Sequence, residues 1–167
     1  YGVLLMAGMA VSAFSFAIAM LVLLSRDEPL AGVVSPMHMD ELGKLLFTFV
    51  MVWAYISFSQ FLIVWSGNLP EEIPWYIRRL GPGWGWVALV LVVFHFFLPF
   101  LLLLSRDLKR NARTLGVVAA GVLLVRLVDL FWLVGPDMKG HGHGLSVHWM
   151  DLSAAVALGG AWLWTFA

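Results

Sequence analysis

Trp84-Gly-Trp-Val-Ala-Leu-Val-Leu-Val-Val-Phe-His-Phe-Phe-Leu-Pro-Phe-Leu-Leu-Leu-Leu104 is an apolar run interrupted by one titratable side chain, His95. As a helix rising about 1.5 Å per residue it reaches about 30 Å, the thickness of a bilayer's hydrocarbon core. Comparable runs lie on both sides of it. They extend from about Gly2 to Leu24, from about Met39 to Trp65, from about Leu115 to Val134, and from near His148 to the end. Polar and turn-forming residues separate them: Ser25-Arg26-Asp27-Glu28-Pro29, Gly67-Asn68-Leu69-Pro70 and Gly135-Pro136. In lipid every backbone N–H and C=O must find an internal partner, and long unbroken runs supply those partners as helices, not as barrel strands. The expectation is an all-α integral membrane protein, a bundle of about five transmembrane helices forming a single domain over residues 1–167.

Composition agrees. The chain is 62% hydrophobic and 12% charged, whereas soluble domains carry about 25% charged residues. The formal net charge is zero, so no basic face argues for nucleic acid. Nine Trp and twelve Phe suit interfacial belts and helix packing. Without cysteine the chain offers no thiolate for an iron–sulfur cluster, no c-type haem attachment and no disulfide. The chain starts at Tyr1 inside an apolar run, which suggests a segment of a longer protein.

Lys and Arg counts set the expected orientation. The first and third loops with their helix ends carry six (Arg26, Lys44, Arg106, Lys109, Arg110, Arg113), and the second and fourth carry three (Arg78, Arg79, Lys139). The positive-inside rule puts the richer side in the cytoplasm, with Tyr1 outside and Ala167 inside. In the second loop, Pro70 followed by Glu71 and Glu72 resembles a helix first turn. Trp75, Tyr76, Arg78 and Arg79 then fit a short amphipathic helix on the interface, serving as an anchor or as a docking platform.

Ionisable groups inside membrane spans are costly and point to function. On the second run, Glu41, Lys44, Thr48, Tyr55, Ser59 and Ser66 fall within a stripe roughly 60° wide at about 100° per residue. A hydrated proton route and a polar seam between helices are both open, with Glu41 and Lys44 paired at the interface in the second case. His95 stands four residues before Pro99, where proline should kink the helix and free a carbonyl. Arg126 lies close to the bilayer centre with Asp129 one turn on, sharing a face. An arginine there costs at least about 2.5 kcal/mol and must be paired, hydrated or turned into the bundle. His141, His143, His148 and Asp151 could ligate a metal, but the intervening glycines argue against it; His148 and Asp151 better suit a proton exit or a hydrogen-bonded cap. Gly8, Ser12, Ser15 and Ala19 form a small-residue stripe for close packing.

Several blocks carry a resemblance. Leu42-Gly43-Lys44-Leu45-Leu46-Phe47, Trp53-Ala54-Tyr55, Phe58-Ser59-Gln60-Phe61 and Trp65-Ser66-Gly67-Asn68-Leu69-Pro70-Glu71-Glu72 look like the F-type membrane subunit of bacterial alternative complex III. So do Leu104 to Arg110, Arg126-Leu127-Val128-Asp129 and Val147-His148-Trp149-Met150-Asp151. That complex is a quinol:electron-acceptor oxidoreductase whose large membrane subunits belong to the polysulfide-reductase/NrfD-like group. The resemblance implies the C-terminal half of a subunit of about ten helices in a bacterial inner membrane. Its implied partners are a sister NrfD-like subunit, multihaem c-type cytochromes, an iron–sulfur protein and lipids. It also implies haem c and iron–sulfur clusters in the partners, quinone in the complex, and no prosthetic group in this chain. Proton-path candidates are then Glu41, Lys44, Thr48, Tyr55, Ser59, His95, Arg126, Asp129, His148 and Asp151. A stand-alone proton-coupled transporter or channel and a purely structural scaffold are the rival readings.

Overall fold

The structure, a computed structural model, describes residues 2–25, 35–81, 83–138 and 149–166. Among them the order is α1 (Gly2–Leu24), α2 (Pro36–Ser66), α3 (Ile73–Leu80), α4 (Trp84–Leu91), a π-helical stretch (Val92–Phe97), α5 (Leu98–Leu104), α6 (Arg106–Arg110), α7 (Ala112–Met138) and α8 (Trp149–Phe166). Four spans are long and apolar enough to cross a membrane: Gly2–Leu24, Pro36–Ser66, Trp84–Leu104 and Ala112–Pro136. The chain is an all-α, multi-pass membrane bundle. The sequence predicts about five spans; α8, where the fifth would fall, has 18 residues, about 27 Å of helix, and is not among the four found in the described residues.

Local chemistry sets the ends. Ser35 caps α2, its hydroxyl accepting from the His38 N–H at 3.3 Å while His38 Nδ1 accepts from the Ser35 N–H at 3.3 Å, with Pro36 opening the first turn. The helix therefore begins a few residues before the expected Met39. Asn68, at φ 44°, takes the left-handed conformation that asparagine tolerates and turns the chain after α2. The short amphipathic helix exists, but Pro74 and not Pro70 sits in its first turn; Pro70 lies in the preceding turn.

The α4–α5 segment is irregular where His95 and Pro99 predicted trouble. The chain widens into a π-helical turn, with the Leu98 N–H donating to the Val93 carbonyl. Such bulges absorb a residue that the α-helical ladder cannot accommodate. α7 runs past its expected end, through Pro136 to Met138. Proline removes a donor and wedges that turn. Arg79 of α3 meets the loosened turn from the side, donating to the Leu133 carbonyl at 2.5 Å.

Packing follows the small residues of α1. Ala7, Gly8, Val11, Ser15 and Ile18 are buried against α2 and α7. The core continues through Met39, Leu46, Val50 and Trp53 of α2, Leu103 of α5, and Leu115, Ala119 and Val122 of α7. Phe14 stacks on Phe49 at 4.8 Å between ring centroids. Val22 meets α7 at Gly116, where a Cβ would lie 3.0 Å from its Cγ1.

Candidate functional site: a buried polar layer

Two spans, α7 and Trp84–Leu104, bring polar side chains to the middle of the bundle. Arg126 is fourteen residues after Ala112 and twelve before Met138, and it is 4% exposed. One turn on, Asp129 is 5% exposed, and its Oδ2 accepts from Arg126 Nη1. The i,i+3 spacing that predicted the pair thus produces it. α1 makes the room: a Cβ on Gly8 would land inside the Arg126 guanidinium, 2.8 Å from Nε. Gly8 therefore serves the charge as well as helix packing, a link with no local signature in sequence. Arg126 Nε has no hydrogen-bond partner among the described residues.

His95, in the π-helical stretch, is fully buried with both ring nitrogens unpartnered among the described residues. Its imidazole packs on the Trp53 indole of α2 at 4.1 Å between centroids, and Arg126 is within electrostatic reach. An imidazole can accept or give a proton through either nitrogen. His95, Arg126 and Asp129 are the predicted residues that the fold gathers, with Trp53 and Gly8 added by the structure.

The α2 stripe is placed differently. Glu41, Lys44, Thr48 and Ser66 are exposed, Tyr55 is 73% exposed, and Ser59 is half-buried. A seam between helices of this bundle is not what the stripe forms, because those positions turn outward while Leu46, Val50 and Trp53 face the core. The expected Glu41–Lys44 pair is present at 2.9 Å. Lys44 also binds Asp40 at 2.8 Å; Asp40 is the buried member of this group and was not singled out from the sequence. The Thr48 hydroxyl donates back to the Lys44 carbonyl at 2.9 Å, satisfying itself locally. His148 lies outside the described residues. Asp151 falls in α8, but its side chain lies outside them too.

α3 holds the other surprise. Arg79, expected on the membrane surface, is fully buried. Its guanidinium covers the Trp75 ring at 3.7 Å, donates to the Trp75 carbonyl at 3.2 Å and reaches Leu133. Tyr76 is half-buried beside it. Burial, reinforced by the Glu72 carboxylate and opposed by Arg79, pushes its phenol up to about 12.

No cluster of three or more His, Cys, Asp or Glu able to hold a metal occurs among the described residues. Compared with known proteins, the chain matches no family model and no curated protein.

Proposed function

We propose that this chain is an integral membrane subunit of a quinol:electron-acceptor oxidoreductase complex, similar to the F-type subunit of alternative complex III, and that its buried polar layer assists proton movement. The observation that carries the reading is the Arg126–Asp129 pair, held mid-helix in a notch at Gly8 with His95 nearby. Replacing a buried ion pair by well-packed apolar residues is often neutral or stabilising, so packing alone gives little reason to keep one. Charges and imidazoles at that depth mark ion and proton pathways.

The outward polar stripe favours a subunit over a stand-alone transporter. Tyr55, 73% exposed near the middle of α2, turns its hydroxyl outward from the span, and protein against it would give that hydroxyl a partner. The sister NrfD-like subunit fits this face, while multihaem c-type cytochromes and an iron–sulfur protein hold the redox groups. With no cysteine, this chain supplies no thiolate to a cluster. The setting is a bacterial inner membrane, with Tyr1 outside and Ala167 in the cytoplasm.

The test is the paired variant Arg126→Leu with Asp129→Leu in the intact complex. It is expected to assemble and to oxidise quinol, with proton uptake by proteoliposomes reduced at least severalfold. Unchanged proton coupling in the assembled double variant would remove the relay role.

A further inference from the structure

Ala88, Leu91 and Val92 line one side of a cleft of about 730 Å³ between α2, α7 and the Trp84–Leu104 span. In an unbroken α-helix, at about 100° per residue, the next residue on that face is His95, about 20° from Ala88 and between Leu91 and Val92. The structure puts Phe96 and Phe97 on the cleft in its place. The π-helical stretch is the cause. It holds more residues per turn, so His95 swings off the face and packs on Trp53 with both ring nitrogens unpartnered among the described residues.

The cleft holds what that imidazole lacks. Its wall carries the Asp129 carboxylate, an acceptor, and the indole N–H groups of Trp53 and Trp132, which are buried and unpartnered among the described residues. Tyr55 and Ser57 add hydroxyls, the second already donating to the Trp53 carbonyl at 2.8 Å. A neutral imidazole offers one donor and one acceptor. Seated on the cleft face, it can donate to Asp129 and accept from an indole.

The backbone leaves this exchange open. The Leu98 N–H donates to the Val93 carbonyl, five residues back, where the α-helical ladder would use Phe94. Next comes Pro99, which has no N–H to lose. Moving the extra residue on to Pro99 therefore forfeits no backbone donor, and neither end of the span has to shift. We propose that the π-turn is a register switch, placing His95 either on Trp53, without a hydrogen-bond partner, or on the cleft face beside Asp129. The register change stands on this backbone geometry; its purpose, joining and breaking the polar layer, rests on the proton reading above.

The chain has no cysteine, so single thiols report the register in the native complex. A lipid-soluble maleimide, with mass spectrometry of the peptide, measures their labelling rates. Phe97→Cys on the cleft and Leu103→Cys, fully buried in the same span, set the two limits. His95→Cys is expected between them. Deleting Phe96 removes the extra residue and holds position 95 on the cleft face. That should speed His95→Cys labelling at least about tenfold, since a minor state of up to about 10% becomes the sole one. Pro99→Ala restores an N–H that the moving bulge would strand, and should slow His95→Cys towards the Leu103→Cys rate. With native His95, an electron cryo-microscopy structure of the Phe96-deleted complex should put the imidazole within hydrogen-bond distance of Asp129. His95→Cys labelling that stays at the Leu103→Cys rate when Phe96 is deleted overturns the proposal, as does a rate that Pro99→Ala leaves unchanged. So does an imidazole still packed on Trp53 in the shortened helix. None of these readouts is proton uptake, so failure of the switch and failure of the proton role are told apart.

Discussion

Asp129→Asn takes one charge from the middle of α7 and leaves Arg126 behind, an isosteric change with a large expected penalty. A guanidinium cannot shed its proton to escape burial. Gly8 walls it in: a single methyl at that position would already overlap the guanidinium, so the side chain has no room to swing towards α1. Removing one partner of a buried pair costs about 3–5 kcal/mol. That is roughly two to three and a half orders of magnitude in the folding equilibrium. Arg126→Leu together with Asp129→Leu removes both charges and should return to within about 1–2 kcal/mol of wild type. The assay is reversible unfolding in mixed micelles of mild and denaturing detergent, with wild type, Arg126→Leu, Asp129→Leu and the double variant combined into a cycle and Asp129→Asn measured beside them. A loss under about 1 kcal/mol for Asp129→Asn, with no coupling to Arg126, would mean that the pair is hydrated and not held as a dry ion pair.

Other perturbations probe the scaffold. Arg79→Lys keeps the charge but loses the planar fork that covers Trp75 and reaches Leu133, so α3 should detach from α7 and become protease-sensitive. Gly135→Ala places a methyl 2.7 Å from Trp84 Cη2, a buried ring with little freedom, and should destabilise by about 1–3 kcal/mol in the same micelle assay. Tyr76 gives a pH signature. Its phenol is pushed up to about 12 in the fold, above its ordinary value near 10, so folding favours the protonated form. Its contribution is complete below about pH 10 and is lost as pH rises towards 12, where α3 should loosen. Phenolate absorbance and proteolysis of α3 should report this together, and Tyr76→Phe should abolish that part of the response.

Much of the fold is legible because lipid imposes a blunt rule. α1 and the Trp84–Leu104 span end where charged or turn-forming residues begin, so hydropathy alone gives their limits. Less legible features depend on register or distance. The Ser35-Pro36 cap was a readable signal for the start of α2, overshadowed by the apolar run behind it. The irregularity at His95–Pro99 could be anticipated from proline, but its resolution as a π-turn could not, since a slipped backbone register leaves the side-chain pattern almost unchanged. At the site, Arg126 and Asp129 declare each other by spacing. Their seat at Gly8 and the His95–Trp53 contact join residues far apart in the chain, which periodicity does not report. Arg79 misled for a related reason. On an isolated amphipathic helix it belongs at the water surface, and the Leu133 carbonyl that it meets inside lies far away in the chain.

Membership in a quinol-oxidising complex is tested by purifying the native protein in mild detergent, with mass spectrometry and a reduced-minus-oxidised spectrum of the preparation. Membership predicts co-purifying c-type cytochromes, an iron–sulfur protein and a second multi-pass subunit, with haem c bands in the spectrum. A lone, spectrally silent protein would contradict it and turn the buried Arg126–Asp129 layer into the core of a stand-alone transporter.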